Sequence, residues 1–180
     1  MRKNLIITLL LAILVTFSLA ADDPSAAFSV TTSISAINEM KISNAVVTTE
    51  TFKSSSTTFS GTVAIVGSGE GANMDSSGNV SFTAYISTLS NNRGGYSINM
   101  SATPLTSDGA TINYTVTVNE VPYTTGTPSP SAVPVLSVSS LSELDTESLP
   151  IAVKVVRSEY DSAVQGTYTG SVTFEYVAAN

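Results

Sequence analysis

Gly166-Thr167-Tyr168-Thr169-Gly170-Ser171-Val172-Thr173-Phe174-Glu175-Tyr176-Val177 is the stretch whose reading decides the fold. Tyr168, Val172, Phe174 and Tyr176 fall on one side with Gly170 between them; Thr167, Thr169, Ser171, Thr173 and Glu175 fall on the other. Side chains of a strand alternate between faces, so this period of two predicts a strand with one buried and one wet face. An apolar face of that kind needs a second layer of strands to cover it.

The preceding chain supplies them. Phe28, Val30, Thr32 and Ile34 alternate, predicting a first strand from Phe28 to about Ile37, with a weaker one over Met40–Val47. Thr48–Thr58 reads as a loop in which Phe52 needs cover. Phe59, Gly61, Val63 and Ile65 predict a strand over Phe59–Val66, followed by a glycine-rich loop from Gly67 to Gly78. Asn79–Ser87, Tyr96–Met100 (with Ala102 as an extension) and the Ile112, Tyr114, Val116, Val118 series alternate in the same way, with turns at Asn91–Gly95 and Ser107–Gly109 between them. Val121–Pro134 carries Pro122, Pro128, Pro130 and Pro134, which exclude a central strand, and reads as a surface crossing. A short strand follows over Val133–Val138. Acidic Ser139–Ser148 is expected to hold a helical turn at Leu141–Leu144; Leu149–Val156 is a strand, and Glu159–Gln165 a turn.

Short strands separated by turn signals predict an all-β domain, an antiparallel Ig-like or pilin-like β-sandwich with Greek-key connections. Val172 and Phe174 should share its core with Val63, Phe82, Ile98, Val116 and Val153, and Phe174→Ala should cost about 3–5 kcal/mol. A transmembrane β-barrel is the structural rival. The closing Val177-Ala178-Ala179-Asn180 lacks the terminal aromatic of that class, and the strands carry few aromatics for interfacial girdles.

Arg2 and Lys3 precede an apolar run from Leu5 to Leu19, and Ser18-Leu19-Ala20 or Leu19-Ala20-Ala21 offers small residues for cleavage. This predicts a signal peptide over 1–20, a flexible lead over 21–27 and one domain over 28–180, the exported chain starting at Ala21 or Asp22. A retained membrane anchor is the alternative; the apolar core is short for a span. Losing Arg2 and Lys3 takes the net charge from −7 to −9. An acidic, sparsely charged chain of this kind speaks against nucleic acid and anionic lipid as partners. The chain has no cysteine, which suits bacterial export and excludes both disulfides and a lipidated cysteine.

With neither histidine nor cysteine, Ser-His-Asp and Cys-His catalysis and the usual zinc and haem sites are excluded. No Ser-x-x-Lys arrangement occurs, and without tryptophan there is no indole platform for a sugar. The expectation is a protein without enzymatic activity, cofactor or transition metal. Gly67–Gly71 follows a strand but opens no helix, so it reads as a hairpin tip and not a phosphate cradle. Asp75-Ser76-Ser77-Gly78-Asn79 gathers oxygens that could hold calcium, and a tight turn accounts for it equally well. Tyr123 and Tyr160, beside loops, are expected to be exposed.

The final strand, Gly166–Tyr176, resembles the closing strand of bacterial pilin-like β-sandwiches, a group that includes fimbrial subunits and the spore coat protein U family. Arg93-Gly94-Gly95-Tyr96-Ser97-Ile98 is faintly similar to cell-surface WxL domains, although this chain has no tryptophan. The resemblance implies a non-enzymatic envelope or surface subunit. The function expected is therefore that of a structural or adhesive bacterial protein, exported to the periplasm, cell surface or medium. It would work by contact with other envelope proteins or with itself, and with no transmembrane span once mature. Its partner contacts are expected at Phe28, Val30 and Ile34. The alternative is a monomeric glycan-binding module using Asn91, Asn92, Arg93 and Tyr123.

Overall fold

The computed structural model describes residues 29–126, 128 and 130–179. The expected signal peptide, the lead 21–27 and Phe28 lie outside the described residues. The chain divides between Ile34 and Ser35 into two units. In the first, residues 29–34 form no ladder, and Val30 and Ile34 are exposed.

The second unit is all-β and antiparallel. Its strands are β1 (Asn38–Ser43), β2 (Asn79–Val80), β3 (Tyr85–Ser90), β4 (Tyr96–Ala102), β5 (Leu105–Ser107) and β6 (Ala110–Ile112). They continue with β7 (Tyr114–Val118), β8 (Val121–Thr124), β9 (Val133–Val138), β10 (Asp145–Val155) and β11 (Val172–Ala178). Among the described residues one α-helix, α1, spans Arg157–Ser162, and a short 3-10 helix spans Ser55–Thr57. One six-stranded sheet runs β1-β3-β10-β7-β8 with β2 also on β10; a three-stranded sheet runs β11-β4-β9; β5 and β6 form a separate hairpin.

The 11-residue β10 organises the larger sheet. Asp145–Pro150 pairs with β3, then Ile151–Val155 pairs with β7. Pro150 sits where the partner changes, so its missing N–H interrupts neither ladder midway. In β4, Tyr96, Ile98, Met100 and Ala102 are buried and the residues between them half-buried; β7 buries Tyr114, Val116 and Val118. These two alternations belong to different sheets and meet in one apolar cluster, giving a sandwich-like core.

Several predicted elements differ. Residues 29–37 form no strand: Ile37 N–H bonds Asn91 Oδ1 at 2.7 Å, and pairing starts only where Asn38 meets Ser90. Phe59–Val66 forms no ladder either. Gly61 lies at φ +92°, which breaks the extended course, while Val63 and Ile65 still pack on the core. The predicted Asn79–Ser87 strand splits into β2 and β3, both held by β10. The 139–148 stretch has no helical turn, because Asp145–Ser148 finds a ladder on Ser87–Ser90 and joins β10. Conversely, 157–162 is helical, not a plain turn. The proline-rich crossing contributes β8 and leads into β9, but both are edge strands, where a proline is tolerated. The register between β4 and β9 shifts at Ile98/Asn99, opposite Pro134. Tyr123 is buried: β8 turns it inward opposite Val116, and its hydroxyl donates to Pro130 O at 2.9 Å.

Of the predicted core, Ile98 and Val116 are fully buried. Val63, Phe82, Val153, Val172 and Phe174 are half-buried and pack against the central cluster. The last strand begins its ladder only at Val172, later than its alternation suggested; upstream, Thr169 makes one bridge to Thr106.

Candidate functional site

β11 is an edge strand, paired with β4 alone. Thr103 N–H donates to Ser171 O and Ala179 N–H to Gly95 O, so the odd-numbered residues carry the ladder to β4. By the alternation of an antiparallel pair, the N–H and C=O groups of Val172, Phe174, Tyr176 and Ala178 point away from it. This row of free backbone groups is what a further strand would bind.

Beside that edge the two sheets stand apart. A cleft of about 280 Å³ lies between them, lined by Ile42, Phe82, Ile151, Val153, Val172 and Phe174 among others. A second of about 260 Å³ continues along Met40 and Ile42 of β1 opposite Val172 and Phe174. The two clefts share the pair of edges β1 and β11, and their walls are mostly aliphatic and aromatic.

One end of the gap is bolted. The Tyr96 and Tyr176 rings stack at 4.8 Å between centroids. Tyr176 Oη donates to Asn38 Oδ1 at 2.9 Å and lies 3.0 Å from Ser90 Oγ; Tyr96 Oη pairs with Thr88 Oγ1 at 2.8 Å. Burial pushes the Tyr96 phenol up from its ordinary range, opposed by the Thr88 hydrogen bond. At the other end, Gly170 passes so close to the chain that a Cβ there would lie 2.8 Å from Thr103 O and 2.9 Å from Pro104 O. Only glycine fits this approach.

The residues expected to touch partners are dispersed. Phe28 is outside the described residues, and Val30 and Ile34 are exposed. Asn91 binds its own chain, accepting from Ile37 N–H and donating to Ser35 O at 3.0 Å. Asn92 donates to Ala179 O at 3.0 Å and accepts from Gly94 N–H. Arg93 is exposed and makes no ion pair among the described residues. Tyr123 lies on β8, separated from the Asn91–Arg93 turn by β10 and β7. The four residues of the glycan reading thus form no common surface.

The Asp75 carboxylate closes its own turn. Oδ1 accepts from Ser77 N–H at 2.8 Å and Asn79 N–H at 2.9 Å, and Oδ2 from Asn79 Nδ2 at 2.8 Å. The Asn79 side chain foremost holds its pKa below the usual carboxylate range. Among the described residues no three acidic side chains gather in a metal-holding group.

Sequence reasoning missed Asn38 and Lys41. The Lys41 ammonium lies 4.9 Å from the Phe52 ring centroid, donates to Phe52 O, and reaches Thr57 Oγ1 at 2.7 Å. It ties the 52–57 loop to β1. The only hint was that Phe52 needed cover.

No protein family, curated protein or solved structure matches the chain. No helix among the described residues is long and apolar enough to cross a membrane.

Proposed function

We propose that this chain is an exported structural or adhesive subunit of a bacterial envelope, an Ig-like, pilin-like sandwich without enzymatic activity that works by strand-edge contact with other copies or other envelope proteins. One observation carries the reading: the free edge of β11 runs along an apolar cleft. A strand edge supplies general affinity through backbone hydrogen bonds, and pockets for alternate side chains supply selectivity. The exposed Val30 and Ile34 suit residues 21–34 for crossing to a neighbour.

The test is size. Light scattering on the exported chain across concentration, with and without residues 21–34, should give assemblies that disappear with the segment. An intact mass starting at Ala21 or Asp22 should accompany it. A chain that stays monomeric with any envelope extract removes the reading.

A further inference from the structure

The segment facing β11 across the cleft is fastened at its ends and loose between. Phe59 N–H donates to Ile42 O at 3.1 Å. At the far end Val66 N–H donates to Asn73 Oδ1 at 2.8 Å, and Asn73 Nδ2 donates to Ala64 O at 2.7 Å. Between these anchors Ser60, Gly61, Thr62 and Val63 make no backbone hydrogen bond. Phe59, Val63 and Ile65 nevertheless line the same cleft as Val172 and Phe174. This is a strap that fills apolar space with its side chains and leaves the strand edge unpaired.

Its sequence has a double. Phe28-Ser29-Val30-Thr31-Thr32-Ser33-Ile34 and Phe59-Ser60-Gly61-Thr62-Val63-Ala64-Ile65 share Phe, Ser, Thr and Ile at the first, second, fourth and seventh places. Both present apolar side chains at alternate places, including the first and the last. They differ where it matters for pairing. The strap has Gly61 at φ +92°, outside any strand, whereas the other segment has Val30 at that place. Glycine weakens a strand and β-branched valine favours one, so 28–34 is the better strand of the two.

We propose that residues 59–65 are a built-in competitor for the β11 edge: they cover the cleft of the isolated chain until the Phe28–Ile34 segment of a second copy displaces them and pairs with Val172, Phe174 and Tyr176. This rests on the subunit reading and adds its regulation. A site open only part of the time binds with an affinity reduced by the open fraction, so the strap sets the concentration at which copies join. It also shields an apolar edge that would otherwise invite indiscriminate pairing.

Two substitutions in the full exported chain should act in opposite directions. Val63→Ser loosens the strap and should lower the half-assembly concentration roughly tenfold, and Ile34→Ser weakens the incoming segment and should raise it roughly tenfold, each a single lost apolar contact. A folded Val63→Ser chain assembling at the wild-type concentration, or above it, overturns the proposal. If that variant does not fold, a synthetic Phe28–Ile34 peptide decides the matter on the wild-type chain. It should slow hydrogen exchange at the Phe174 and Tyr176 amides, and a Phe59–Ile65 peptide should compete with it. Absence of protection overturns the proposal. A wild-type chain monomeric throughout removes the subunit reading, and the peptide result still stands or falls for the strap. Assembly abolished by loss of residues 21–34 but indifferent to Val63→Ser removes the strap alone.

Discussion

Tyr114 shows how one side chain joins the two sheets. It is buried on β7, and its hydroxyl donates to Ser171 O at 3.2 Å, just ahead of β11. Burial, and secondarily Tyr123, pushes its pKa from 10.0 up to about 12. The folded chain therefore keeps the proton after the unfolded chain has lost it. Stability is fully present below about pH 10 and is lost as pH rises toward and through 12. Melting temperature should fall across that window, and less steeply in Tyr114→Phe. Lys41 is the other residue whose role shows only in three dimensions. Lys41→Met should lose about 1–3 kcal/mol in urea unfolding, since it removes charge-assisted bonds to the 52–57 loop. That role was not legible because every partner of the ammonium is 11 or more residues away, on a loop with no pattern of its own. Asn91 and Asn92 read equally well as exposed polar turn residues; what fixes them is the carbonyls at the two ends of the domain.

Among the elements, β4 and β7 were plain in the sequence because their alternation coincides with real ladders on both sides. The same period at 29–37 and 59–66 misled. Alternation says which side of a segment is apolar; whether a neighbouring strand has bonds to offer is a property of the whole sheet. The candidate site was legible in half: the apolar face of β11 was read from its residues, while its position at an edge was not, since order within a sheet leaves no mark on a strand's own sequence. Burial refines an energetic expectation here. Phe174 is only half-buried beside the cleft, whereas Ile98 is fully enclosed. Phe174→Ala should then cost about 2 kcal/mol and Ile98→Ala about 3–4 kcal/mol, reversing the order that side-chain size alone would give. Urea unfolding of both variants checks the ranking.

Across the described fold, among the described strands only β5–β6 and β7–β8 pair neighbours in the chain; β3 pairs with β1 and β10, and β4 with β9 and β11. Such distant pairing should place folding in the millisecond-to-second range, measurable by stopped-flow refolding; a microsecond phase accounting for the full signal would contradict it. The Asn91–Asn92 turn adds a mechanical consequence. It grips Ser35 and Ile37 on one side and Ala179 on the other, so both ends of the domain leave from the same pole. Tension applied through the two ends would therefore pull β1 off β3 and β11 off β4 from that pole, opening hydrogen bonds one after another instead of shearing a whole ladder at once. A chain loaded in that way yields at low force. Held instead through an added strand along β11, the same domain would bear load across several bonds together.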